Sequence, residues 1–360
     1  MADSADLETA WPFIRMLRSS PPGHATKGHR RLTFAAALDQ AEELWRAAGL
    51  VAPTVSPIVL FYALTQGARA ISASRISGTK WEGVPGHGLR LLKPDAAKNT
   101  PPELSAVFVD SHGDGFVQQI AELLASPVVE REVSMSELLC SLPDNGQFLL
   151  LDSLDPRPLH ITDSTASMRS DSVPSGDVYA FIQPLPDVLV CRHPIDEDHF
   201  EMVPPSSSEV DEWLSAYPTL VAAGPPATIL YVQPVDFDGS DPVFGVRVHW
   251  TLDRQIKWGT SGEWFRSMID IVDGLTGRFP SSGSALPAVG GNAEAQHPLI
   301  TWWMVLYGLS MLARYHPRVW SAMLNVDQSG SAVPLQRVLE VAHRRVPALL
   351  LEELIADEPP

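Results

Sequence analysis

The chain has few cysteines, few lysines and no long apolar run. Two cysteines among 360 residues exclude a disulfide scaffold and a cysteine-rich zinc module, and they fit a reducing compartment. No apolar stretch reaches the length of about 18 residues that a membrane-spanning helix needs. The N-terminal residues lack the basic start and apolar segment of a secretory signal. These absences predict a cytoplasmic protein that does not enter a membrane.

The charge balance is acidic and uneven. The chain carries 43 acidic and 26 basic residues, a net charge of −17, and only five of the basic residues are lysines, a bias typical of GC-rich bacterial genomes. Residues 101–210 hold 19 of the acidic residues and four of the basic ones. Generic nucleic-acid binding is therefore not expected, because phosphate contacts need clustered cations.

Apolar periodicity predicts helices at both ends of the chain. Thr33 is a candidate cap for the first strong helix, and proline opens the second and the strongest, at Pro57 and Pro298. Pro317 is expected to end the strongest helix and to open the next. The predicted terminal helices are 34–48, 57–75, 260–275, 299–316, a short one from Pro317 through Leu324, 334–345 and 348–356.

The middle of the chain has a different pattern. Alternating apolar and β-branched residues there predict short strands, several of them interrupted by proline. Ser134 and Glu137 have the spacing of a helix capping box. The predicted strands are 105–109, 115–120, 177–184, 188–193, 228–236 and 243–252, and the predicted helices are 135–142 and 209–216.

These elements predict an α+β protein. Residues 1–100 and 255–360 would form one discontinuous helical domain, and residues 101–254 a β-rich, acidic central domain. The helices at 34–48 and 57–75 should pack against 299–316, because each carries more apolar surface than its sequence neighbours can cover.

Common catalytic motifs are absent, including the P-loop, the dinucleotide-binding glycine motif, HExxH, the GxSxG elbow and CxxC. The cluster from His193 to His199 has metal-ligand residue types. We nevertheless predict no metal there and no cofactor, because adjacent loop carboxylates stay hydrated unless the fold orders them. Cys140 and Cys191 follow apolar residues and are interpreted as buried thiols.

Arg337 and His343 lie two helical turns apart, a spacing that resembles the Arg–His motif of HEPN ribonucleases. A histidine could transfer a proton and an arginine could bind the phosphate. A plain solvent-facing helix surface explains the same residues. The ribonuclease, acting in a defence or toxin system, and a metal-dependent hydrolase at 193–199 are alternative hypotheses.

The preferred candidate site joins two distant segments. His87 lies between two glycines after a buried helix, and the helix 299–316 ends in Arg314, Tyr315 and His316. Such groups are costly to bury without partners, so we expect all four to share a surface that binds a small anion or a protein partner. Alternatively, Arg314 pairs with Glu42 or Glu43 and holds helices together.

Four segments resemble the YaaC-like family of bacterial proteins. The resemblance implies a bacterial cytoplasmic protein but neither a reaction nor catalytic residues, so enzymatic activity stays open. A non-catalytic binding or interaction protein is the preferred hypothesis. The matching segments are DQAEELWRAAG (39–49), SPIVLFYALTQGARAI (56–71), GHGL (86–89) and LSMLARYHPRVW (309–320).

Overall fold

The protein is described here by a computed structural model. It describes residues 10–92, 102–145, 155–169, 175–183, 191–194, 200–203, 206–223, 228–235, 243–252 and 284–356. The chain divides into two compact units: residues 1–155 with 289–360, and residues 156–288. Helices dominate the first unit and antiparallel strands the second, so the α+β prediction is confirmed.

The described part of the chain contains ten α-helices. They are α1 (Ala10–Ser19), α2 (Gly28–Ala48), α3 (Ser56–Arg75), α4 (Phe116–Leu123), α5 (Met135–Cys140), α6 (Ser207–Leu214), α7 (Pro218–Ala223), α8 (Pro298–Tyr315), α9 (Pro317–Met323) and α10 (Ala332–Ile355). No helix among these residues combines the length and apolarity needed to cross a bilayer.

Two helices that are buried along most of their length form the centre of the first unit. α3 and α8 pack against each other, which confirms the predicted contact between 57–75 and 299–316. α2 packs chiefly on α3 and not on α8, contrary to the predicted contact between 34–48 and 299–316, because α3 already covers its apolar face. α10 covers both α3 and α8. As predicted, proline opens α3, α8 and α9, because its missing N–H is no loss in the first helical turn.

The last helix differs from its prediction. Residues 334–345 and 348–356 were predicted as two helices, but α10 is one helix that runs through Pro347. Proline cannot donate to the carbonyl four residues earlier, which is that of His343. The indole Nε1 of Trp45 donates to this carbonyl at 2.7 Å, so the unpaired acceptor is satisfied from α2 and the helix continues.

Two further predictions about helices were wrong. α2 begins at Gly28, so Thr33 lies inside the helix and does not cap it. Residues 116–123 form α4 although 115–120 had been predicted as a strand. The Gly115 amide donates to the Gln118 side chain at 2.9 Å, and Phe116, Val117 and Ile120 share one buried face, which is a helical spacing.

Within the described residues the strands form three antiparallel sheets. The strands are β1 (Leu89–Leu91), β2 (Phe108–Ser111), β3 (Val133–Ser134), β4 (Leu159–Arg169), β5 (Ser175–Gln183), β6 (Cys191–Pro194), β7 (Phe200–Val203), β8 (Thr228–Val235), β9 (Val243–Leu252) and β10 (Ser284–Ala285). In the first unit the strand order is β1–β2–β3. The second unit contains a five-stranded sheet with the order β10–β4–β5–β9–β8 and a separate two-stranded sheet, β6–β7. β1, β3, β4, β7 and β10 had not been predicted, and the predicted helix 260–275 lies outside the described residues.

The boundaries of the units lie near Asp155 and Val289, whereas the predicted domains divide the chain at residues 100 and 254. The segment 102–145 belongs to the first unit because its apolar residues join the helical core. Val109, Met135 and Leu139 are members of that core, together with α3 and α8. The division into independently folding domains stays a prediction.

Candidate functional site

The Gly86–His87–Gly88 turn is held against the N-terminus of α4. Gly86 and Gly88 have φ angles of +87° and +76°, a region that favours glycine. The carbonyls of Gly86 and His87 accept hydrogen bonds from the first two amides of α4, at 3.1 and 3.2 Å. The Gly88 carbonyl accepts from the His112 amide at 2.9 Å. Backbone contacts therefore fix the turn that carries His87.

The turn also approaches α4 closely. A Cβ on Gly88 would overlap Oε1 of Gln118, and a Cβ on Gly115 would overlap the Gly88 backbone. Nε2 of Gln118 donates to the Gly88 carbonyl at 2.6 Å. Glycine at 88 and 115 lets the two backbones meet, and Gln118 joins them.

The imidazole of His87 lies among aromatic rings of α3 and α8. Its ring centroid is 5.1 Å from that of Phe61 and 5.9 Å from that of Tyr307. The Tyr307 hydroxyl donates to the Leu89 carbonyl at 2.8 Å, which ties α8 to the segment that follows the turn. His87 is half-buried, and its ring forms no hydrogen bond with another described residue.

Arg314 lies seven residues after Tyr307, and therefore on the same face of α8. Its guanidinium carbon is 4.9 Å from the ring centroid of Tyr315 and 5.9 Å from that of Tyr62. Nη2 donates to the Tyr315 hydroxyl at 2.9 Å. Two aromatic rings and one hydroxyl thus hold the cation at the surface.

Arg314 does not pair with Glu42. That carboxylate, almost fully buried, bonds to Arg15 at 2.7 Å and to Arg46 at 2.6 Å. No carboxylate among the described residues forms an ion pair with Arg314. The protein has a large excess of acidic residues, so the lack of an ion pair at Arg314 does not reflect a shortage of acidic side chains.

The electrostatics of the site keep His87 neutral near pH 7. Burial, and after it the positive charge of Arg314, lower the pKa of His87 below its ordinary value of 6.5. Burial also raises the pKa of Tyr307. The site therefore offers a permanent cation beside an imidazole that is neutral near pH 7 and whose pKa rises when a bound anion offsets the charge of Arg314.

Arg314 and Tyr315, two of the four predicted site residues, are in contact, and the charge of Arg314 acts on a third, His87. That all four share one binding surface stays a prediction. His316 lies at the junction of α8 and α9, where its carbonyl accepts the Trp320 amide at 2.9 Å. No hydrogen bond or ring contact joins the His316 side chain to the other three within the described residues. Sequence reasoning missed Phe61, Tyr62 and Tyr307, because all three lie within helices that were interpreted only as core.

The residues of the ribonuclease hypothesis have other partners. His343 and Trp45 exchange two hydrogen bonds: the imidazole Nε2 donates to the Trp45 carbonyl at 2.9 Å, and the indole donates to the His343 carbonyl. Arg337 bonds to Glu340 at 2.7 Å, one turn along α10. These contacts are typical of side chains that stabilise a helix and its packing.

The metal-like cluster is described only in part. His193 lies in β6 and pairs in register with Glu201 of β7, whereas residues 195–199, including His199, lie outside the described residues. Across the part of the chain that is described, no group of three or more His, Cys, Asp or Glu side chains could hold a metal ion. Cys140 is buried in α5, as expected.

Comparison with known proteins identifies the family of the chain. No curated protein and no solved structure matches the chain. The family model described as YaaC-like protein matches residues 13–180 and 244–354. These ranges cover most of the chain and include His87, Arg314 and Tyr315. The chain therefore belongs to the YaaC-like family.

Proposed function

We propose that this YaaC-like protein is a non-catalytic binding protein that takes a small anion at the surface formed by His87, Arg314 and Tyr315. The bound group would be a phosphate or a carboxylate, and the setting would be the bacterial cytoplasm. One observation carries the proposal: Arg314 is held in place by Tyr62 and Tyr315 and forms no ion pair with a carboxylate among the described residues.

The arrangement suits anion recognition. A guanidinium presents several donors to a planar or tetrahedral oxyanion, and it binds best where its geometry is fixed beforehand. The neutral imidazole of His87 can add a hydrogen bond, because the described residues leave its ring nitrogens available. The backbone bonds of the 86–88 turn reduce the entropy lost when the ligand binds.

The two alternative hypotheses have weaker support. A ribonuclease needs an imidazole that is free to transfer a proton, whereas Nε2 of His343 is bonded to the Trp45 carbonyl. A metal-dependent hydrolase at 193–199 would need convergent ligands, and of this segment only His193 and Pro194 lie among the described residues.

Phosphate titration of the whole protein tests the proposal. Isothermal titration calorimetry should show saturable binding of inorganic phosphate to the wild-type protein. In thermal denaturation the melting temperature should rise with the phosphate concentration. Arg314→Ala should weaken phosphate binding about 10- to 100-fold, since it removes a charge-assisted hydrogen bond. Arg314→Lys should recover part of the affinity, because the charge returns without the guanidinium geometry.

Arg318→Ala is the matched control. Arg318 is exposed at the start of α9, so the substitution removes the same charge four residues away and should leave phosphate affinity unchanged. Arg314→Ala should also leave the melting temperature without phosphate nearly unchanged, because no ion pair with a described carboxylate is lost. Binding that is not saturable, or equal losses in both variants, would contradict the proposal.

A further inference from the structure

The anion site adjoins aromatic surface that no described residue covers. Tyr315 is 58 % exposed and Tyr62 39 % exposed. One side of the Tyr315 ring is near the Arg314 guanidinium, only 4.9 Å from the ring centroid. An anionic group bonded to that guanidinium and an aromatic ring stacked on Tyr315 can therefore belong to one small molecule.

We propose that the ligand is a nucleoside monophosphate, with its phosphate on Arg314 and His87 and its base stacked on Tyr315. This inference rests on the proposed anion site and names the ligand class that fits it. Tyrosine is well suited to the second contact, because bases stack on aromatic side chains with little dependence on sequence. The phosphate and the base of one nucleotide supply the two chemistries that the surface offers side by side.

The charge of the site favours a single phosphate. One permanent cation, Arg314, and one titratable group, His87, match a monophosphate, whereas tri- and diphosphates are normally bound by several cations or by a glycine-rich anion-binding loop. A nucleic-acid strand is disfavoured for a related reason. Binding a strand needs a row of cations along its backbone, and the chain has a net charge of −17.

The geometry also gives the aromatic residues separate roles. Tyr62 and Tyr315 both contact Arg314, but only the Tyr315 hydroxyl accepts its hydrogen bond. Tyr307 and Phe61 are buried and contact His87 from within the core. Tyr315 is the more exposed of the two surface rings, so we assign the base to it, and it sets selectivity for nucleotides over simple phosphates.

Calorimetry with the whole protein and four probes tests this inference. The probes are adenosine 5′-monophosphate, ribose 5-phosphate, adenosine and inorganic phosphate. Adenosine monophosphate should bind roughly 5- to 100-fold more tightly than ribose 5-phosphate, the range expected for one stacked base. Tyr315→Ala should reduce this ratio to about one, whereas Tyr315→Phe should keep it.

The ratio is measured within each variant, so a general loss of phosphate affinity caused by moving Arg314 cancels. If wild-type protein binds phosphate saturably but the ratio is near one, the nucleotide inference is wrong and the anion site stands. If no probe binds, both proposals are wrong. If single-stranded oligonucleotides bind more tightly than adenosine monophosphate, and their affinity rises with length, the inference is also wrong and the ligand is a nucleic-acid strand.

Discussion

Trp45 and Pro347 should be energetically coupled, although they lie on different helices. The indole donates to the His343 carbonyl at 2.7 Å, and this carbonyl lacks its helical partner because residue 347 is proline. Trp45→Phe removes the donor. We expect the free energy of unfolding to fall by about 1–3 kcal/mol for the unsatisfied acceptor, plus a loss of packing for the smaller ring, since Trp45 is fully buried.

Pro347→Ala separates the two contributions. The substitution gives residue 347 an N–H that can donate to the His343 carbonyl along the helix. In this background Trp45→Phe should cost only the packing loss, so a double-mutant cycle should show a coupling energy of about 1 kcal/mol or more. Urea denaturation followed by far-ultraviolet circular dichroism measures all four proteins, because most of the described helix lies in the first unit.

Trp320→Phe is the matched control for this cycle. Its indole donates to the Thr54 carbonyl at 3.1 Å, an acceptor that has no relation to Pro347. Trp320→Phe and Pro347→Ala should therefore be additive to within about 0.5 kcal/mol. An equal cost of Trp45→Phe with and without Pro347 would refute the idea that the indole allows α10 to continue.

Three further predictions concern the turn, a buried ion pair and the titration of the site. Gly88→Ala should destabilise the first unit by more than about 2 kcal/mol, since the φ angle is positive and the added Cβ would displace Gln118 from its hydrogen bonds to the Gly88 carbonyl and the Gly115 amide. Gly78→Ala, with a similar φ and no atom within 4 Å, should cost about 1 kcal/mol. At Glu353 burial opposes ionisation, but the hydrogen bond from His297 and the charge of Arg75 outweigh it and lower the pKa below 4.5. The stability that this carboxylate contributes is thus present above pH 4.5 and lost as the pH falls through its lowered pKa in the folded protein. Glu353→Gln should therefore flatten the acid limb of a curve of unfolding free energy against pH. Sulfate should bind more tightly as the pH falls from about 8 to about 5, a range in which its own charge is constant, because a bound anion raises the lowered pKa of His87. His87→Asn should abolish this pH dependence of sulfate binding, and a pH dependence that persists in the variant would contradict the role of His87.

The site itself shows how far sequence reasoning reaches. The run 299–313 is so apolar that its helix has to be buried, and its Arg-Tyr end therefore has to emerge beside whatever packs on α8. That reasoning predicts that His87, Arg314 and Tyr315 share a surface, and the contact of Arg314 with Tyr315 and the effect of its charge on His87 agree with it. It placed His316 with them too, but the chain turns at residue 316 to begin α9, and no local pattern shows which way a side chain points at such a junction.

The sequence alone determined the features that depend on near neighbours. Prolines marked where α3, α8 and α9 begin, apolar faces marked which helices are buried, and Ser134 marked the start of α5 by accepting the Glu137 amide at 3.0 Å. These interactions lie within one or two turns of the chain, so composition and spacing are sufficient to predict them.

Only the tertiary structure decided the features that depend on distant residues. α10 continues through Pro347 because an indole 298 positions from His343 satisfies the freed carbonyl. Residues 116–123 are helical because their first amides are bonded to the 86–88 turn. The aromatic rings around Arg314 and His87 come from helices more than 200 residues apart in sequence. Propensity and periodicity describe a segment in isolation, whereas a buried donor or acceptor takes whichever partner the packing brings within reach.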